Sequence, residues 1–212
     1  MFKIIIVLFV GGSLATLINI LVSKIINYIN KKKVKRNSLN YIVLTIIILV
    51  VLYISYMNFS SKHNLIIAVV FDSIIIIGSY VDYKYKVIPN KFVLISFVIG
   101  VISLILTRKL MIDNIYGMVI GGMILLIIAI MPGGLMGGGD VKYMVLIGLF
   151  LGIEKTIFAI CISFVLGSVI ALILIIFRFK KLKDTIAFGP ILSIGSFIAY
   201  TYYDSVIDKI IF

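Results

Sequence analysis

The chain has 212 residues, 63% of them hydrophobic, and carries 20 Lys and Arg against 8 Asp and Glu for a net charge of +12. Its mean hydropathy of +1.28 is more than a soluble domain of this size can hide, which excludes an ordinary water-soluble enzyme. The basic residues lie in short loops between apolar runs, as membrane topology requires, and this placement argues against nucleic acid as a partner.

A bilayer core needs about 20 apolar residues per helix. Eight segments approach that length: Phe2–Ile29, Ser38–Phe59, Asn64–Val81, Phe92–Leu106, Asn114–Met131, Val141–Ile153, Thr156–Phe179 and Phe188–Tyr203. The sixth is short and reads as a half-helix or a span with little tilt. The opening stretch, Met1–Ile20, has no charged region beyond Lys3 and no Ala-x-Ala site, so it reads as a retained first helix. The expected fold is all-α, a polytopic membrane protein of about eight transmembrane helices forming one domain over residues 1–212.

The loops set the orientation. Lys31, Lys32, Lys33, Lys35 and Arg36 follow the first segment, and Lys84, Lys86 and Lys91 follow the third. Lys142 follows the fifth, and Arg178, Lys180, Lys181 and Lys183 follow the seventh. The opposite side holds Lys3, Lys62, Arg108, Lys109, Lys155 and Lys209, while Lys24 snorkels toward the richer side. The positive-inside rule makes the richer side cytoplasmic, with both termini outside, in a cytoplasmic or inner membrane. Asp82 and Asp140 then fall at the same cytoplasmic edge.

A carboxylate at the end of an apolar segment is expensive and marks a functional site. Asp140 follows Gly137-Gly138-Gly139, and Asp82 opens Asp82-Tyr83-Lys84-Tyr85-Lys86-Val87-Ile88-Pro89-Asn90. Two carboxyls sharing one proton can activate water and protonate a carbonyl or leaving amine, with no metal or cofactor. The Gly-rich run Met131–Gly139 is expected to break helical regularity and let a substrate strand approach. Pro89 is expected to end an extended stretch after Asp82. The competing reading has both aspartates as surface loop residues satisfied by Lys84 or Lys142.

Asp72 lies ten residues before Asp82, about 15 Å along a helix and about 80° around it. It cannot join the pair and is expected to face the bundle interior, bonded to a hydroxyl or backbone group. His63 reads as a solvated loop residue and Cys161 as a small apolar helix residue, which allows no internal disulfide and no cysteine zinc site. The chain has no internal repeat.

Gly137-Gly138-Gly139-Asp140-Val141-Lys142 resembles the G-x-G-D motif of the type IV prepilin peptidases, a family of intramembrane aspartic proteases. Asp82 with Ile88-Pro89-Asn90 is similar to that family's first aspartate motif. Phe188-Gly189-Pro190 resembles its final-helix motif, and Gly11-Gly12-Ser13-Leu14-Ala15-Thr16-Leu17-Ile18-Asn19 resembles its first helix. The resemblance implies removal of the short basic leader of prepilins or pseudopilins, after a glycine and on the cytoplasmic side. It implies Asp82 and Asp140 as the catalytic dyad, with Gly137 and Gly139 as hinge positions. Gly138, Pro89, Asn90, Gly189 and Pro190 complete the candidate set for substrate approach. The implied partners are the substrate and the lipid bilayer.

Many bacterial members carry a large loop after the first helix, with two Cys-x-x-Cys pairs binding zinc, and methylate the new N-terminus. Here that loop is Asn30–Asn37, without cysteine, so the chain reads as a short form lacking the N-methyltransferase. A preflagellin-type peptidase shares two of the motifs. A presenilin-like enzyme expects Tyr-Asp and Pro-Ala-Leu, where this chain has Val81-Asp82 and Gly189-Pro190-Ile191. The alternative from another class is a proton-coupled membrane carrier titrating Asp72 and Asp82, which would call for inverted repeats.

Overall fold

The structure, a computed structural model, describes residues 2–30, 38–59, 61–109, 111–131, 136–181 and 184–211. The basic run from Lys31 to Arg36, the stretch from Pro132 to Leu135 and Lys183 lie outside the described residues. Every regular element among the described residues is a helix: α1 (Phe2–Asn30), α2 (Ser38–Asn58), α3 (Lys62–Tyr85), α4 (Asn90–Leu106), α5 (Ile112–Ile130), α6 (Gly138–Ile176) and α7 (Gly189–Ile211).

The expected sixth and seventh segments are not separated by a loop. They join in α6, whose 39 residues are interrupted only at Gly152, with φ 71° and ψ −174°. That conformation is open to glycine and strained for any residue with a Cβ. The chain reverses there. A straight helix would put Tyr143 and Ser163 about 30 Å apart. Both instead reach the same stretch of α7: the Tyr143 hydroxyl meets Ser193 Oγ at 2.8 Å, and Ser163 Oγ donates to the Ile191 carbonyl at 3.4 Å.

The first turn of α5 stitches the reversal. Asn114 Nδ2 donates to the Leu149 carbonyl at 2.8 Å, capping the incoming arm, and Asp113 Oδ1 accepts from the Ile153 N–H at 3.1 Å, capping the outgoing one. One turn on, Gly117 lies against the backbone of Gly148 and Gly152. Small residues permit such approach between membrane helices, where dispersion contacts and not water exclusion drive association.

Helix α3 is central and touches α1, α2, α4, α6 and α7. Its Phe71, Ile75 and Val81 are buried, while Leu94, Ile130, Val165 and Ile176 on other helices are exposed, as in a bundle that faces lipid. Among the described residues, five helices are long and apolar enough to cross a membrane, at Gly11–Ile29, Asn40–Asn58, Lys62–Tyr85, Ile112–Ile130 and Gly138–Ile176, while α4 is a shorter apolar helix. The chain is therefore a multi-pass membrane protein.

Candidate active site

Asp82 sits in the last turn of α3, within the helix, and the extended stretch begins only later. Lys86 ends α3 in the left-handed conformation (φ 52°, ψ 34°), its N–H donating to the Asp82 carbonyl at 2.7 Å. Lys86 Nζ then reaches across to Thr185, donating to its carbonyl at 3.0 Å and its Oγ1 at 2.8 Å. Pro89 (φ −66°, ψ 135°) is the N-cap of α4, where a proline leaves no helical acceptor unmatched.

Asp140 is the third residue of α6, half-buried, its N–H donating to the Gly137 carbonyl at 3.0 Å. The Gly-rich run does interrupt the helices, since α5 ends at Ile130 and α6 begins at Gly138, two residues before Asp140. Gly137 has extended geometry (φ −77°, ψ 144°), whereas Gly138 and Gly139 form the first helical turn. Glycine is poor inside a helix, yet in a first turn its N–H groups need no intrahelical partner. Gly139 packs beside Ile88, and Lys142 Nζ donates to Asn90 Oδ1 at 2.9 Å, so the start of α6 is fastened to the α3–α4 link.

The third component comes from α7. Its first residue, Gly189, donates its N–H to Asp82 Oδ2 at 2.8 Å, and a Cβ at Gly189 would lie 2.7 Å from that oxygen. Asp82 is only 5% exposed, and among the described residues its Oδ1 accepts no hydrogen bond, so one oxygen is held and the other is left available. Pro190 stands in the first turn of α7, where its missing N–H costs nothing. It lines a groove against α2 and α3 and takes no part in holding the carboxyl.

Sequence reasoning missed two residues. Tyr143, one turn after Asp140 and fully buried, donates its hydroxyl to the Ile75 carbonyl at 3.0 Å, and its ring fills the space that a Cβ at Gly78 would need. The same hydroxyl meets Ser193 Oγ, which bonds to the Gly189 carbonyl at 2.8 Å. Tyr143 thus ties the helix bearing Asp140 to the turn that holds Asp82. The signal was legible only as a polar group three residues from Asp140 inside an apolar run.

Asp82 and Asp140 stand within electrostatic reach of one another, and Tyr143 within reach of both. Lys84 and Lys142 do not neutralise them. Lys84 lies over the Tyr85 ring, 5.7 Å from its centroid, Lys142 serves Asn90, and the ion pair among the described residues is Lys155–Asp204 at 2.7 Å. Asp72 is apart from this site, fully buried, and accepts a 2.6 Å hydrogen bond from Ser55 Oγ, as a bundle-facing residue should. His63 and Cys161 are exposed.

Asp82 near the end of α3 and Asp140 at the start of α6 give a multi-pass membrane protein with a candidate pair of carboxyls. Residues 69–172, which include both aspartates, match the model of the type IV leader peptidase family. A similar protein is the prepilin leader peptidase/N-methyltransferase of Bacillus subtilis (strain 168), 30% identical over 154 residues. The match takes in 72% of this chain and 62% of that protein's length. No solved structure matches significantly.

Proposed function

We propose that this chain is an intramembrane aspartic endopeptidase that removes the short basic leader of type IV prepilins or pseudopilins, cutting after a glycine at the cytoplasmic membrane edge. What supports this reading is that Asp82 and Asp140, both inside the family segment, lie within electrostatic reach of one another. In the proposed reaction one carboxyl is ionised and takes a proton from water as the oxygen attacks the scissile carbonyl carbon. The other is protonated and donates to the carbonyl oxygen. The tetrahedral gem-diol then breaks its C–N bond as the first carboxyl gives its proton to the leaving amine, and the second, now ionised, takes back the hydroxyl proton as the C=O bond re-forms. The Gly189 N–H holds Asp82 Oδ2 throughout, which leaves Oδ1 for water.

The two arms of α6 count as separate crossings in this reading, giving eight spans with both termini outside. The link after α1 is too short for a zinc domain, so we assign no methyltransferase to the chain. The test is co-expression with a prepilin, read by gel shift and N-terminal mass. Leader loss with an unmethylated N-terminus supports the reading, and no processing of several prepilins by well-expressed protein overturns it.

A further inference from the structure

A lateral groove of about 520 Å³ opens between α1, α3 and α4, and neither Asp82 nor Asp140 lines it. Its walls are apolar, with Leu14, Val70 and Ile99 at the far end and Lys24, Tyr28 and Lys91 at the end nearest Pro89. Lys91 Nζ lies 4.7 Å from the Tyr28 ring centroid, which holds that cation over the mouth. No acidic side chain lines the groove among the described residues.

The dimensions point to an occupant. From Lys24 to Leu14 is ten helical residues and from Lys91 to Ile99 eight, so the groove runs about 12–15 Å from its charged mouth. That is one leaflet of a hydrocarbon core about 30 Å thick. A transmembrane helix would need about twice that length, and the basic leader of the proposed substrate would be repelled by the two lysines. An acyl chain with a phosphate at its head matches both the depth and the charge.

We infer that this groove binds a glycerophospholipid with an anionic headgroup, one acyl chain lying along α3 and the phosphate held by Lys24 and Lys91. The proposal rests on the peptidase reading only in setting the substrate's basic leader aside, and lipid preference is measured without cleavage.

The chain has no tryptophan, so a single one reports locally. Ile95 lines the groove and is 59% exposed, and Val165 on α6 is 63% exposed and off the groove. The full chain carrying Ile95→Trp or Val165→Trp is reconstituted in phosphatidylcholine vesicles containing either brominated phosphatidylglycerol or brominated phosphatidylcholine. Quenching of Ile95→Trp is expected to favour the anionic lipid on the order of tenfold in apparent affinity. High salt, and separately the added pair K24Q/K91Q, should erase the preference, and Val165→Trp should show none. Equal quenching by the two lipids overturns the proposal, as does a preference that survives both salt and K24Q/K91Q. Relief of quenching by an added prepilin apolar segment would instead assign the groove to substrate and also overturn it.

Discussion

The N–H of Gly189 donates to Asp82 Oδ2 at 2.8 Å, so the first turn of α7 orients a carboxyl that belongs to α3. The contact joins residues 107 positions apart, and it works only because Gly189 has no side chain. Gly189→Ala would bring a Cβ to 2.7 Å from Oδ2 and 2.8 Å from the Asp82 Cβ. Displacing the carboxyl by about 1 Å should lower cleavage about 100-fold with helicity retained. Gly138→Ala, which meets nothing within 4 Å, should cleave normally. Cleavage rates and circular dichroism of the two variants check this, and equal activities would remove the positioning role.

If the aspartates form the dyad, Asp82→Asn and Asp140→Asn should each lose at least about 1,000-fold in cleavage, because neither amide can replace the acid or the base. The wild type should show a bell-shaped pH profile, since one carboxyl must be ionised while the other is protonated. Near-normal activity in either variant excludes the dyad.

Tyr143→Phe keeps the ring against Gly78 but removes the hydroxyl that meets Ser193 and Ile75. A lost hydrogen bond of about 1 kcal/mol predicts a fall of roughly fivefold in kcat with KM unchanged. Adding Ser193→Ala should give less than the product of the single effects, because the two act through one network. A change confined to thermal stability would make the pair merely structural.

Gly152→Ala places a Cβ in a left-handed backbone and against the Asp113 carboxylate that caps the outgoing arm of α6. The expected cost is about 3 kcal/mol, visible as a lower melting temperature in detergent. An unchanged melting temperature would mean that the reversal is not fixed at this residue.

Asp72→Asn should keep most cleavage activity, because Asp72 lies about 15 Å along α3 from Asp82 and bonds to Ser55. A proton-coupled carrier would lose its function with this residue, so the variant separates the two readings when cleavage and pH-driven uptake are both measured.

The amino-acid sequence by itself determined what depends on composition and on short-range pattern. Long apolar runs with charged ends require membrane helices, because a buried backbone must satisfy its hydrogen bonds within the segment. Asp82 and Asp140 were legible because charge next to hydrocarbon is costly and rare. Helical geometry separated Asp72 from Asp82, and the cost of a carboxyl in the middle of a membrane helix gave its interior place. Tertiary structure decided what depends on contacts between distant residues. The loopless reversal at Gly152 is held by Asp113 and Asn114, about 40 positions away. The first helical turn at Gly138 and Gly139 overrides a weak local propensity. The clasp of Tyr143 and Ser193 on Gly189 exists only once three helices pack, since no local pattern records which buried hydroxyl will find which carbonyl.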